Sequence, residues 1–154
     1  MKKALCAVVG FVCLAGSVRA QTAEDFFRAI RGGDLETLRK LSVNPNVKDR
    51  LDTTPLHYAA IYGNPEAVRI LLEHGAPPNP RQEGGWTPLH EAAQIGDVEM
   101  VKILLEHGAR VNDQDIDGRT ALDHAMDHLG SGVIQLLVKA GADTSLKLSP
   151  TAKP

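Results

Sequence analysis

Apolar residues recur along this chain at helical spacing, in short stretches cut by glycines and polar turns. Val68, Leu71 and Leu72 fall on one face of a helix, and Val101, Leu104 and Leu105 fall on one face of another. Each of these helices is preceded by a shorter one. Thr54 and Thr87 are good N-caps, and Pro55 and Pro88 take the first helical position, where a missing N–H costs nothing. The short helices stop at Gly63 and Gly96, and the second helices begin at Asn64-Pro65 and at Asp97. Gly75, Gly108 and Gly141 follow their ends, where a left-handed residue is wanted. A polar stretch with Asn79 or Asn112 then leads to a turn closing at Gly85 or Gly118. The pattern predicts pairs of short antiparallel helices joined by extended turns.

The pairs are copies of one another. Thr54-Pro55-Leu56-His57 returns as Thr87-Pro88-Leu89-His90 after 33 residues, and again, weakened, as Thr120-Ala121-Leu122-Asp123. Ile70-Leu71-Leu72-Glu73-His74-Gly75-Ala76 repeats as Ile103-Leu104-Leu105-Glu106-His107-Gly108-Ala109, with Leu136–Ala142 as a third copy. An earlier, divergent copy has its first helix at Glu24–Ile30, then Gly33-Asp34-Leu35, with Leu38 and Leu41 on the apolar face. There Asp52 replaces the turn glycine, and Arg28, Arg31, Arg39 and Lys40 suit a solvent side. In the last copy Leu129 stands where a glycine is expected and Gly130 comes one place later, which predicts a first helix one residue longer. Its second helix keeps Val133, Ile134, Leu137 and Val138 like an internal repeat. Terminal repeats need a polar outer face, so either the tail from Asp143 to Pro154 folds over that edge or a partner covers it.

These motifs resemble the ankyrin repeat, which carries Thr-Pro-Leu-His at 33-residue spacing. The resemblance covers about residues 22–146 and implies an all-α solenoid of about four helix-turn-helix repeats with extended β-turn loops. The repeats run over about 22–52, 53–85, 86–118 and 119–146. By the same resemblance, His57 and His90 hydrogen-bond near the turn and hold adjacent repeats in register. Partner contacts are expected on the concave strip: Arg50, Leu51, Thr53, Glu83, Trp86, Ile116 and Arg119 at the turns, and Ile61, Tyr62, Gln94, Ile95, Asp127 and His128 on the first helices. Trp86 and Tyr62 have a second reading, stacking on the neighbouring repeat. On the binding reading, Trp86→Ala weakens capture of a partner without unfolding the chain.

The first twenty residues read differently. Lys2 and Lys3, an apolar run of 13 residues from Ala4 to Gly16, and Val18-Arg19-Ala20 make a secretory signal peptide over 1–20, cleaved after Ala20. The run is short of the roughly 20 residues that span a bilayer, so no membrane anchor is expected after cleavage. Residues 147–154 form a C-terminal tail. Cleavage removes both cysteines and three of the 17 basic residues while leaving all 19 acidic ones, so the net charge moves from −2 to 14 − 19 = −5. A cysteine-free product suits an oxidising compartment such as the periplasm, and its charge argues against nucleic acid as a partner.

Chemistry is sparse. No phosphate-binding Gly-rich loop, nucleophile elbow or haem motif occurs. His74 and His107 end the second helices, where an imidazole meets free carbonyls. His124 and His128 share a helix face beside Asp123 and Asp127 but lack a fixed third ligand, and read best as two surface residues. Asp113, Asp115 and Asp117 alternate in a turn without the bidentate glutamate of a calcium loop. The expectation is therefore a non-enzymatic, monomeric protein without metal or cofactor that binds another protein in the periplasm. Small bacterial ankyrin proteins with signal peptides are similar, and some are linked to peroxide protection alongside catalase, which implies a role in oxidative stress. The alternative is an immunity protein neutralising a toxin or enzyme that acts in the periplasm. A metal- or cofactor-dependent enzyme centred on His124 and His128 is the reading from a different class, and elemental analysis discriminates it.

Overall fold

The computed structural model describes residues 23–40, 44–128 and 130–144. The segment 1–20 read as a signal peptide, the tail 147–154, Leu41 and Leu129 lie outside the described residues. Helix starts are set by side-chain caps. Asp34, Asn64 and Asp97 each accept the backbone N–H three residues on, at 2.9, 3.0 and 2.9 Å, and so begin α2 (Leu35–Lys40), α4 (Pro65–Glu73) and α6 (Val98–Glu106). Thr54, Thr87 and Thr120 form capping boxes at the starts of α3 (Pro55–Ile61), α5 (Pro88–Ile95) and α7 (Ala121–Asp127). With α1 (Ala23–Gly32) and α8 (Ser131–Lys139) these make four helix pairs. The fold is all-α, and none of the described helices is long and apolar enough to cross a membrane.

One expectation fails in the last pair. Helix α7 has seven residues, the same as α3, and is not longer. Gly130 does not end α7. It takes the place of Asn64 and Asp97, donating its N–H to Ala125 O as they do to Ala59 O and Ala92 O. Lacking a side chain, it opens α8 without a cap.

The helices stack in two rows, α1, α3, α5 and α7 in one and α2, α4, α6 and α8 in the other. Among the described residues the buried apolar side chains form one core that runs along the stack, with equivalent residues recurring from layer to layer. Leu56, Leu89 and Leu122 are buried at 33-residue intervals, as are Leu71, Leu104 and Leu137. Ala59, Ala60, Ala92 and Ala93 are fully buried, and their small side chains let the inner helices approach closely. At the N-terminal end the ring of Phe27 on α1 meets that of Tyr58 at 4.8 Å.

Polar groups lock the layers together. The Thr54 N–H donates to His57 Nδ1 at 3.3 Å, so that nitrogen carries the lone pair and Nε2 carries the proton. Nε2–H then donates to Trp86 O in the next repeat at 3.0 Å. His90 does the same between Thr87 N–H, at 3.1 Å, and Arg119 O, at 3.2 Å. In the last described repeat Asp123 replaces the histidine. Its carboxylate accepts both the N–H and the hydroxyl of Thr120 at 2.8 Å, which keeps the cap without the ring N–H that His57 and His90 donate. On the other side Asn79 bonds Gly108 O and Arg110 N–H, and Asn112 bonds Gly141 O and Asp143 N–H. His74 and His107 each place Nδ1 on the carbonyl one turn earlier, at 2.7 and 2.8 Å, as their helix-end positions predict.

Burial lowers the pKa of His57 to about 4, and lowers that of His90 in the same direction, with nearby His124 adding to the effect. Both stay neutral in the fold at pH values where the unfolded chain, titrating near 6.5, takes up protons. Stability is therefore full above pH 6.5 and falls as the pH drops toward 4, by about 3 kcal/mol for His57 alone. Glu91, whose pKa burial raises, acts in the opposite sense above the ordinary glutamate value. The expected result is a melting temperature that declines between pH 6.5 and 4.5, with a steeper decline in Glu91→Gln. A flat profile in both proteins contradicts it. A second test concerns Asp52, the one described non-glycine residue with positive φ, at 59°. It sits where Gly85 and Gly118 have φ of 76° and 74°. Asp52→Gly is expected to raise stability by roughly 0.5–1 kcal/mol in chemical denaturation, because an L side chain is disfavoured there.

Candidate partner-binding surface

The turns between layers are short hairpins. Asp49, Gln82 and Asp115 each donate a backbone N–H to the carbonyl four residues on, Thr53, Trp86 and Arg119, at 3.0, 3.1 and 2.9 Å. Successive tips are joined too. Glu83 N–H donates to Leu51 O at 3.0 Å and Ile116 N–H to Gly84 O at 2.9 Å. Gly85 permits the second junction, since a Cβ there would lie 3.2 Å from Ile116 N. Leu51, Glu83 and Ile116 consequently lie on adjoining tips, and the tips form one continuous rim.

Behind the rim each hairpin is tied to its own inner helix by a polar pair. Tyr58 OH donates to Asp49 Oδ2 at 2.7 Å, Gln82 Nε2 donates to Glu91 Oε1 at 2.8 Å, and His124 Nε2 meets Asp115 Oδ2 at 2.9 Å. Asp115 Oδ1 also accepts the N–H groups of Asp117 and Arg119, both at 2.9 Å. Burial pushes its carboxyl up, but the bonds from Arg119, His124 and Asp117 outweigh this and hold it below the ordinary value. These pairs recur at 33-residue spacing, 49, 82 and 115 against 58, 91 and 124. The period marks the positions, but the residues change at every step, so no motif announces them.

This pairing corrects the reading of His124 as a surface residue. Its side chain is 4% exposed, committed to Asp115, and its ring lies 4.3 Å from that of Trp86. Only His128 of the two is exposed. Among the described residues no group of three or more His, Cys, Asp or Glu is placed to hold a metal ion. The alternating aspartates are likewise explained by hairpin geometry, through Asp115.

The proposed contact residues divide into two sets. Ile116 and Leu51 are 80% and 56% exposed, and Ile61, Tyr62 and Ile95 are exposed as well. Arg50, Glu83, Asp127 and His128 are open to solvent, and Gln94 is half-buried. Arg119 is half-buried and forms an ion pair with Asp127. Thr53 is 5% exposed and does not belong to the surface; its N–H bonds Asp49 Oδ1 and its side chain is enclosed at the base of the hairpin. Trp86 is half-buried, with its ring against His124 and 6.0 Å from that of His90. Tyr62 stacks on Tyr58 at 6.1 Å yet keeps its outer side open. Arg81, which bonds Gln114 O across to the next turn, is an exposed neighbour that the family positions did not single out.

A sequence model of ankyrin repeats matches the chain over residues 26–115 and 76–147, in three copies. The two segments together span most of its length. The chain belongs to the ankyrin-repeat family. Ankyrin repeats are a scaffold for protein–protein interaction, and the rim and inner-helix strip of this ankyrin protein are its exposed, non-framework surface.

The division of the strip has a measurable consequence. Trp86→Ala removes a ring packed on two buried histidines and is expected to cost about 3 kcal/mol. It is therefore not the clean binding probe that the sequence suggested. Ile116→Ser and Tyr62→Ser alter exposed side chains and are expected to stay within about 0.5 kcal/mol of the parent. Denaturant midpoints check both, and equal stability of Trp86→Ala and the parent contradicts the packing assignment.

Proposed function

We propose that this ankyrin protein is exported by its N-terminal segment and works in the periplasm by binding one partner protein on the rim and inner-helix strip. The observation that carries this reading is the set of exposed apolar side chains, Leu51, Ile61, Tyr62, Ile95 and Ile116. Neither the caps, the histidine bonds nor the layer packing requires an apolar residue at these places. Arg50 and Glu83 on the turns, and Gln94 and Asp127 on the inner helices, add polar groups to the strip, and protein interfaces combine apolar and polar residues in this way. A role in protection from oxidative stress follows the resemblance to small exported bacterial ankyrin proteins and rests on that resemblance alone.

Two measurements test the reading. A reporter enzyme that is active only outside the cytoplasm, fused after residue 20, should be active; a silent fusion overturns export. In capture from periplasmic extract, the double variant Tyr62→Asp/Ile116→Asp should lose the partner band that the parent retains. Loss of about 2 kcal/mol at each hot spot corresponds to roughly 30-fold in Kd. Undiminished capture by a folded double variant removes the strip from the interface.

A further inference from the structure

The last layer exposes residues whose counterparts in earlier layers are covered. Ala60 and Ala93 are fully buried against the following inner helix, whereas Met126 at the same repeat position is 45% exposed. Val68 and Val101 are fully buried, and Ile134 in their place is only half-buried. Leu72 is buried and Leu105 half-buried, while Val138 is 46% exposed. Met126, Ile134 and Val138 thus form an apolar edge on α7 and α8, built like an interface for one more layer.

We propose that residues 145–154 of this same chain dock on that edge and act as its cap. The direction of the chain supports this. Asn112 bonds Gly141 O and Asp143 N–H as Asn79 bonds Gly108 O and Arg110 N–H. The chain leaves α8 on the course by which it leaves α6 to reach the next layer. Leu146 and Leu148 alternate with Lys147 and Ser149, which in an extended segment puts both leucines on one face. Ten extended residues reach up to about 33 Å, and the nine residues of α8 span about 13.5 Å, so the segment is long enough to pass Val138, Ile134 and Met126. A tethered segment also competes at an effective concentration near millimolar, ahead of a second copy of the chain.

Oxidation of Met126 reads the edge directly, and Met100, fully buried between layers, serves as the internal control. Limited peroxide treatment followed by peptide mass spectrometry is applied to the full chain, to a chain ending at Thr144, and to Leu146→Ser/Leu148→Ser. The expected result is several-fold faster oxidation of Met126 in both altered chains, at any protein concentration, with Met100 slow throughout. Equal Met126 rates in all three overturn the proposal. Protection in the full chain that disappears on dilution also overturns it and assigns the edge to a second copy. If Met100 is oxidised rapidly in the chain ending at Thr144, that chain has unfolded, and the two-serine variant decides.

Discussion

A single ankyrin repeat buries too little to fold alone, so everything in this molecule depends on how one layer is fixed to the next. Apolar contact supplies most of the attraction. Among the directional bonds that fix one layer on the next are those from His57 to Trp86 O and from His90 to Arg119 O. Each ring is clamped at one end by its own helix cap and at the other by a carbonyl across the interface. The arrangement needs the neutral imidazole, because the lone pair accepts the threonine N–H. Burial in an apolar layer favours that same form. Packing and protonation state therefore reinforce each other, and acid works against both.

The end of the stack follows the same reasoning. Asp123 keeps the cap of α7 by accepting two short bonds, and its carboxylate replaces the ring N–H that His57 and His90 donate across a layer. Gly130 opens α8 without the side-chain cap that Asn64 and Asp97 supply. The framework thus relaxes its polar requirements in the last layer while keeping its apolar ones, at Ile134 and Val138. The two changes are confined to the helix starts, since Asn112 and the Asp115–His124 pair keep the bonds of an interior layer.

Helix pairs, caps and layer periodicity were legible in the sequence because each is set by residues within a few positions of one another. Thr54 predicts its own cap, and Gly108 its own turn. The polar column behind the rim was not legible, although its partners are only nine residues apart. Asp49–Tyr58, Gln82–Glu91 and Asp115–His124 solve one geometric problem with three chemistries, so a search for repeated letters passes over them. His124 shows the cost of that most clearly. Asp127 on the same helix and His128 at its end are exposed, whereas the hairpin that folds back from Asp115 and the ring of Trp86 enclose it. Thr53 was misplaced for the converse reason: it lies beside exposed rim residues, but the hairpin bond to Asp49 turns it inward.

This separation of framework from surface gives the fold its usefulness for binding. Caps, histidine bonds and layer contacts use other side chains than those of Leu51, Ile61, Tyr62, Ile95 and Ile116, which are exposed; the rim bonds at Leu51 and Ile116 are made by their backbone. They are held on backbone that is fixed by other residues, in hairpins whose tips are bonded to one another. A partner meeting them encounters side chains whose backbone is already ordered, so less entropy is lost on association than with a mobile loop. Trp86 stands apart from this division, with one side of its ring against His124 and its carbonyl receiving His57. Its side chain and its carbonyl thus both serve the framework, whereas at Ile116 only the backbone N–H does.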